Sequence, residues 1–142
     1  MSNVLENANI NPRKVAMIGC GFVGSTSVYA IMQSGIASEI VLIDANMERA
    51  EGEAMDISHA IPFSTTQRIY AGDYADIKDA ALVIVTAGAA QKPGETRLDL
   101  VNKNVKIFKS IIPQIRDSGF SGIMMIVSNP VDILTYVAWK LS

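Results

Sequence analysis

The chain has 142 residues and a formal net charge of −2, and its residues are 49% hydrophobic and 18% charged. This length and composition fit one globular domain, and they exclude an intrinsically disordered chain and a membrane-spanning one, which would need longer apolar runs. The slight negative charge argues against a nucleic acid partner, because proteins that bind nucleic acids carry a basic face.

The N-terminal half alternates strand and helix patterns after a polar leader, residues 1–13. The leader lacks the basic start and apolar centre of a secretory signal, so we expect a cytoplasmic protein. Gly35 is placed to end the first helix. Apolar runs and helical spacings predict a strand at 14–18, a helix from about Phe22 to Gly35, a strand at 39–43 and a helix at about 47–60.

The C-terminal half continues the alternation with a longer helix. The pair Pro93-Gly94 marks a loop before this helix, and Pro113 within it is expected to kink it or loosen its last turns. Pro130 suits the first position of the last helix, which follows Asn129. The expected elements are strands at 68–71, 82–86 and 123–127, a loop at 87–96, and a helix whose apolar residues are Leu98, Val101, Val105, Phe108, Ile112 and Ile115.

Continuous apolar strands that alternate with helices are typical of a parallel sheet covered on both faces. Right-handed crossovers between such strands give a doubly wound α/β sheet of the Rossmann type, in the order 3-2-1-4-5. The sequence therefore predicts a dinucleotide-binding fold without its sixth strand.

Three glycines, Gly19, Gly21 and Gly24, lie between the first strand and the first helix. At this spacing the first glycine permits a tight turn, the second lets a pyrophosphate approach the backbone, and the third lets the helix pack close to the strand. The N–H groups near Phe22 and Val23 would then face the anion. A glycine turn without a ligand is the alternative, but the strand–turn–helix context favours a dinucleotide.

Asp44 ends the second strand, at the place where a carboxylate binds the hydroxyls of the adenine ribose. Its charge would repel a 2′-phosphate, so the sequence favours NAD over NADP. Without the glycines, Asp44 could equally be a cap of the following helix.

Two further polar residues each have two interpretations. Arg97 opens the long helix, where a positive charge is unfavourable, so it either meets an anionic or carbonyl substrate or pairs on the surface with Glu95 or Asp99. Asn129 either caps the last helix or binds a ligand at the carboxyl edge of the sheet.

The single cysteine and the single histidine carry little chemistry. Cys20 has no partner for an internal disulfide, and its place between two glycines suggests no redox role. One histidine, His59, cannot build a multi-histidine metal site. We therefore expect no bound metal.

Three segments resemble the bacterial L-lactate dehydrogenases of the lactate/malate dehydrogenase family. They are residues 19–24, residues 86–100 (TAGAAQKPGETRLDL) and residues 128–135 (SNPVDILT), and the similarity extends from about Pro12 onward. The middle segment is highly specific. The resemblance implies NAD as the cofactor, hydride transfer to or from a small substrate (pyruvate or lactate), and a homotetrameric parent enzyme without a nucleic acid or membrane partner.

The resemblance also implies roles for single residues. Gln91 would select the substrate, because malate dehydrogenases carry an arginine there and a neutral amide suits the methyl end of pyruvate. Arg97 would polarise the carbonyl group, and Asn129 would hold the substrate oxygen. Further substrate contacts are implied at Pro130, Val131 and Asp132. Coenzyme contacts are implied at Val23, Asp44, Arg49, Tyr74, Gly88, Ala89, Ser110, Val127, Ser128 and Asn129.

Whole members of the family are much longer than this chain, which ends at Ser142. Residues 14–142 are therefore expected to be the coenzyme-binding domain, with the histidine–aspartate pair that donates the proton and the arginine that anchors the carboxylate in a missing catalytic domain. His59 falls in the second helix and cannot replace that histidine. The alternatives are a malate or other 2-hydroxyacid dehydrogenase, and a dinucleotide sensor in which Gln91 and Arg97 would have no purpose.

Overall fold

In a computed structural model of the chain, residues 10–65 and 67–142 are described. They form a five-stranded sheet in which neighbouring strands are parallel, in the order β3-β2-β1-β4-β5. The doubly wound fold and the strand order expected from the sequence are confirmed. The strands are β1 Asn11–Ile18, β2 Glu39–Ile43, β3 Arg68–Ala71, β4 Ala80–Val85 and β5 Ile123–Ile126.

Helices cover both faces of the sheet. Because successive strand residues point to opposite faces, Val15 and Met17 pack with α1 and α2, whereas Ala16 and Ile18 pack with α3 and α4. This arrangement leaves the carboxyl ends of the strands free at one edge, where parallel sheets bind their ligands. The helices are α1 Phe22–Ser34, α2 Met47–Ser58, α3 Arg97–Asp117 and α4 Val131–Leu141, and short 3-10 turns lie at Ile61–Phe63 and Tyr74–Ile77.

Several element boundaries differ from those expected. β1 begins at Asn11 rather than at 14, inside the segment interpreted as a leader, because the Asn11 N–H donates to the Asp79 carbonyl at 2.7 Å. Residues 1–9 of that leader lie outside the described residues. β4 covers Ala80–Val85 rather than 82–86, β5 ends at Ile126 rather than at 127, and α2 ends at Ser58 rather than at 60.

Two expectations about prolines need correction. The last turns of α3 are not loosened by Pro113, because the helix continues to Asp117 with Ile112 and Ile115 fully buried in the core, while a kink at Pro113 stays a prediction. The last helix begins at Val131, not at Pro130, since the Pro130 carbonyl accepts the Leu134 N–H and so occupies the N-cap. The Asn129 side chain is therefore not the cap of α4.

No helix within residues 10–65 and 67–142 is both long enough and apolar enough to cross a membrane.

Candidate functional site

A cleft of about 570 Å³ opens at the carboxyl ends of β1, β2 and β4 and is bounded on one side by α3. It contains seven of the residues that sequence reasoning assigned to the coenzyme. These residues are Gly19, Gly21, Asp44, Arg49, Tyr74, Gly88 and Ser110. The remaining lining residues are Ile18, Ile43, Ala45, Thr86, Ala87, Ile107, Ile111 and Gln114.

The glycine turn between β1 and α1 has the geometry that its spacing predicts. Gly19 has a φ of +101°, and a Cβ there would lie 2.5 Å from the backbone nitrogen of Ala87. At Gly24 a Cβ would collide with the carbonyl oxygen of Gly19, so the absence of a side chain lets α1 pack against the turn. A Cβ at Gly21 would meet no protein atom within 4 Å. The open space at Gly21 lies at the N-terminus of α1, where free N–H groups and the helix dipole favour an anion.

Asp44 joins the end of β2 to this turn. Its Oδ2 accepts the N–H of Cys20 at 2.7 Å, and its Oδ1 accepts the N–H of Asn46 at 2.9 Å. The cap of α2 is Asn46, whose side chain accepts the Arg49 N–H at 3.2 Å. The alternative that Asp44 caps the helix is therefore wrong. The carboxylate is fixed by two backbone N–H groups while its remaining lone pairs can accept from a ligand in the cleft.

Two groups near Asp44 remain neutral over the physiological range. Burial raises the pKa of the Tyr74 phenol, and the charge of Asp44 raises it further. Burial raises the pKa of the Cys20 thiol to about 12, with the negative charge of Asp44 as a further cause. The thiol is also only 1% exposed, so it is an inert part of the core.

A second group of functional candidates lies at the loops that follow β4 and β5. The Ser128 hydroxyl donates to the Ala87 carbonyl at 2.7 Å and so joins one loop to the other. Asn104, which is buried in α3, accepts the Ala89 N–H and donates to the Asn129 carbonyl, both at 2.8 Å. These bonds bring together Ala89, Ser128 and Asn129, which sequence reasoning had assigned to one ligand.

The segment between β4 and α3 is held together by Glu95. Its carboxylate pairs with Lys103 and accepts the Lys92 N–H at 3.0 Å, and these contacts hold the pKa of the Glu95 carboxyl below its ordinary value. The Gln91 side chain donates to the Glu95 carbonyl at 2.8 Å and is exposed. The amide that was expected to select the substrate is thus at the surface of this segment and not in the cleft.

Arg97 is the first residue of α3 and is exposed. The Thr96 hydroxyl and the Asp99 carboxylate form a reciprocal capping box with the backbone, and Glu95 pairs with Lys103. Among residues 10–65 and 67–142, no carboxylate forms an ion pair with Arg97. The surface pairing with Glu95 or Asp99 that sequence reasoning left open is therefore absent there.

Several other expected site residues do not line the cleft. Phe22 and Val23 are 97% and 57% exposed at the start of α1, whereas Gly24 is buried behind the turn. At the loop after β5, the expected site residues Val127 and Pro130 are half-buried, whereas Asn129, Val131 and Asp132 are exposed.

Three residues with evident structural roles at the site were missed from the sequence. Thr86 ends β4 and donates from its hydroxyl to the Gly19 carbonyl at 2.8 Å, which braces the glycine turn. Gln114 lines the cleft one turn beyond Ser110. Asn104 had a detectable signal, because it lies four residues before Phe108 on the apolar face of α3, where a polar side chain needs a partner.

The described residues also line smaller depressions, one of them about 420 Å³ beside α1. Depressions of about 350 Å³ beside α4 and about 430 Å³ beside α2 lack a glycine turn, and the second is lined in part by His59. No cluster of three or more His, Cys, Asp or Glu side chains that could hold a metal ion occurs in the described part of the chain.

Comparisons with known proteins agree with this geometry. The sequence profile described as lactate/malate dehydrogenase, NAD binding domain, matches residues 13–142. The chain is 59% identical over 130 residues to an L-lactate dehydrogenase of Priestia megaterium, covering 92% of this chain and 41% of that protein. The chain thus spans about two fifths of the length of such relatives.

Solved structures give the same result. A minor L-lactate dehydrogenase from Enterococcus mundtii, in a ligand-bound form, matches with a TM-score of 0.88 and 49% identity over 92% of this chain and 42% of that one. A malate dehydrogenase from Archaeoglobus fulgidus, in complex with NADH, matches with a TM-score of 0.84 and 39% identity over 91% of this chain and 45% of that one. The chain therefore belongs to the lactate/malate dehydrogenase family, and residues 13–142 are its NAD-binding domain.

Proposed function

We propose that this chain is the coenzyme-binding part of an NAD-dependent L-lactate dehydrogenase, which interconverts pyruvate and (S)-lactate. The observation that carries the proposal is the cleft in which the open face of Gly21 and the fixed carboxylate of Asp44 lie together. A dinucleotide needs both features, one for its pyrophosphate and one for its adenine ribose.

The residues of the cleft fit NAD. The first-turn N–H groups at Phe22 and Val23 would face the pyrophosphate, and Asp44 would accept from the ribose hydroxyls. The apolar walls given by Ile107 and Ile111 suit the adenine ring. When bound, NAD supplies the hydride acceptor, and NADH the hydride donor, of the reaction.

The chain also offers groups for the substrate. We propose that Arg97, which has no carboxylate partner among the described residues, polarises the carbonyl under attack, and that Asn129 holds its oxygen. Gln91 would face the methyl end of pyruvate, because its neutral amide gives the second carboxylate of oxaloacetate no counter-charge. This residue favours lactate dehydrogenase over malate dehydrogenase, and a dinucleotide sensor would have no use for it.

We propose further that the chain binds the coenzyme without turning substrate over by itself. Carbonyl reduction needs a proton donor at the oxygen, and general acid catalysis commonly contributes about 10²–10⁴-fold. The only histidine of the sequence, His59, is exposed at the end of α2 and lines the depression beside that helix, not the cleft.

The complete enzyme would be a homo-oligomer in the cytoplasm.

The test is a coenzyme titration followed by an assay. Titrating the purified chain with NADH should change the nicotinamide fluorescence and saturate, and NADPH should bind more weakly. Addition of pyruvate should leave the absorbance of NADH unchanged. The exposed Asp56 of α2 provides a control, because Asp56→Ala should leave both results as they are. Absence of NADH binding would refute the proposed function, and steady turnover would refute the assignment of the proton donor to another part of the enzyme.

A further inference from the structure

Asn104 is a buried polar side chain within an otherwise apolar helix face. It is 2% exposed, and Phe108, one turn later in α3, is fully buried. A buried amide without partners is costly, so its contacts show what the residue is for.

The Asn104 amide makes one bond as an acceptor and one as a donor. Its Oδ1 accepts the N–H of Ala89 at 2.8 Å, and its Nδ2 donates to the carbonyl of Asn129 at 2.8 Å. A flipped amide would set N–H against N–H and oxygen against oxygen, so these partners fix its orientation. An aspartate would lose the donor, and an aliphatic residue would lose both groups.

The two partners belong to different loops. Ala89 follows β4, and Asn129 follows β5, so a residue of α3 connects segments that are 40 positions apart in the sequence. A Cβ at Gly88 would lie 3.4 Å from the Asn104 Oδ1, so the backbone before Ala89 also packs on this amide. The Ser128 hydroxyl reaches the end of β4 and the start of the first loop, at the carbonyls of Val85 and Ala87 (3.2 and 2.7 Å), and thus lies before Ala89.

We propose that Asn104 is a positioning residue that sets the spacing between the loops after β4 and β5, and thereby the place of the nicotinamide end of the coenzyme. This inference rests on the proposed function, in which these loops face the nicotinamide and the substrate. Asn104 acts through the backbone of Ala89 and Asn129. In the proposed function the adenosine end is held separately, by Asp44, Arg49 and Tyr74, which line the cleft.

The separation of the two ends gives the experiment. Asn104→Asp and Asn104→Leu are compared with the native chain in titrations with NADH and with AMP, which carries only the adenosine end. Both variants should weaken NADH binding about tenfold, since a buried partner is left unpaired. AMP binding should change by less than about twofold, because Asp44 and the glycine turn are untouched. Asn102, exposed on the same helix, supplies the control Asn102→Asp, which should alter neither affinity.

Acidification provides a second readout for Asn104→Asp. A protonated carboxyl can again donate to the Asn129 carbonyl while its other oxygen accepts from Ala89, and burial raises the pKa of such a carboxyl. NADH affinity of this variant, relative to the native chain, should therefore recover as the pH falls, whereas that of Asn104→Leu should not.

Amide exchange tests the contact without any ligand. The Ala89 N–H should exchange slowly in the native chain and in Asn104→Asp, and faster in Asn104→Leu, at unchanged protection of the β1 amides. Equal losses of NADH and AMP affinity, or unchanged NADH affinity in both variants, would overturn the positioning role. If the native chain bound no NADH, the proposed function itself would fail, and the exchange result would still decide whether Asn104 holds the loop.

Discussion

The carboxylate of Asp44 accepts the backbone N–H of Cys20 at 2.7 Å, which ties the end of β2 to the glycine turn after β1. The two strands are neighbours in the sheet, and their last residues, Ile18 and Ile43, are register partners. The position of the turn relative to the Asp44 carboxylate is therefore set by this bond as well as by the sheet. A change at Asp44 therefore affects the position of the glycine turn as well as the carboxylate itself.

Asp44→Ala should weaken NADH binding about tenfold or more and narrow the preference over NADPH. The variant would lose the charge-assisted bonds that we propose between Asp44 and the ribose, worth about 1.5–3 kcal/mol, and also the charge that would repel a 2′-phosphate. Asp44→Asn keeps one acceptor oxygen, which can serve the Cys20 N–H but not also the Asn46 N–H, and it lacks the charge. Its stability should therefore lie between those of the native chain and Asp44→Ala, while the preference for NADH over NADPH still narrows. Fluorescence titrations with NADH and NADPH measure these affinities. If the native chain bound NADH and NADPH equally well, the proposed ribose-binding role of Asp44 would be contradicted.

Cys20 should resist alkylation in the folded chain. Its thiol is 1% exposed, and the pKa, raised to about 12 mainly by burial, leaves almost no thiolate near neutral pH. Treatment with iodoacetamide at about pH 8 should modify the unfolded chain quickly and the folded chain only as fast as it unfolds. Mass spectrometry of samples with and without denaturant gives the two rates. Comparable rates would show that the thiol is accessible in the native state.

The strand order and the glycine turn could be predicted from the sequence because they depend on local signals. Apolar runs predict strands β2 and β3 to the residue, and Gly35 ends α1 in the left-handed conformation expected of it. The start of β1 could not be predicted in this way. Asn11 is polar, and it joins the strand through a backbone bond to Asp79, which is distant in the sequence.

The site shows the same division between local and distant causes. Asp44 was expected near the glycine turn because it ends the second strand, which is a local property of the chain, and it does line the same cleft as Gly19 and Gly21. The bracing contacts of Thr86 and Asn104 depend on which loops the fold brings together. The place of Asn104 on the apolar face of α3 indicates that it needs a partner, but it does not indicate which one. The cap of α4 was misassigned because Asn129-Pro130 fits two registers of the helix start, and only the bond from Leu134 to the Pro130 carbonyl distinguishes them.

Gln91→Arg should shift substrate choice in the complete enzyme that we propose. A guanidinium can pair bidentately with the second carboxylate of oxaloacetate, so kcat/KM for oxaloacetate should rise relative to that for pyruvate, by about tenfold or more. The exchange should leave stability nearly unchanged, since Gln91 is exposed and bonds only the Glu95 carbonyl. Lys92→Arg in the same segment is the control for added guanidinium. Steady-state kinetics with oxaloacetate and pyruvate give the two values of kcat/KM. If their ratio were the same in Gln91→Arg as in the native enzyme, Gln91 would not belong to the substrate site.

The exposed edge of β5 should make the isolated chain associate. β5 is the last strand in the sheet order, and Ile123 and Met125 are 53% and 47% exposed. An open strand with apolar side chains invites pairing with another chain. Sedimentation should show dimers or larger species at high concentration, and Met125→Lys should shift them toward monomer. A native chain that stays monomeric would contradict this expectation.

The two glycines Gly21 and Gly24 should respond in opposite ways to the same substitution. Gly24→Ala places a methyl group against the Gly19 carbonyl oxygen, so α1 must move away from the turn. Overpacking of this kind costs about 1–3 kcal/mol, and the free energy of unfolding should fall accordingly. Gly21→Ala should leave the free energy of unfolding unchanged or slightly higher, because its φ of −76° is allowed for alanine.

For NADH affinity, in contrast to the free energy of unfolding, the substitution at Gly21 should be the more harmful one. The methyl group of Gly21→Ala occupies the open space that the pyrophosphate needs, so NADH affinity should fall at least about tenfold in a chain that is fully folded. Gly52→Ala is the matched control, because a Cβ at this exposed position of α2 meets nothing within 4 Å. It should raise the free energy of unfolding by about 0.5–1 kcal/mol and leave NADH affinity as it is. Thermal unfolding and NADH titration of the three variants give both quantities. If Gly21→Ala bound NADH normally, the pyrophosphate would have to lie elsewhere than at the start of α1.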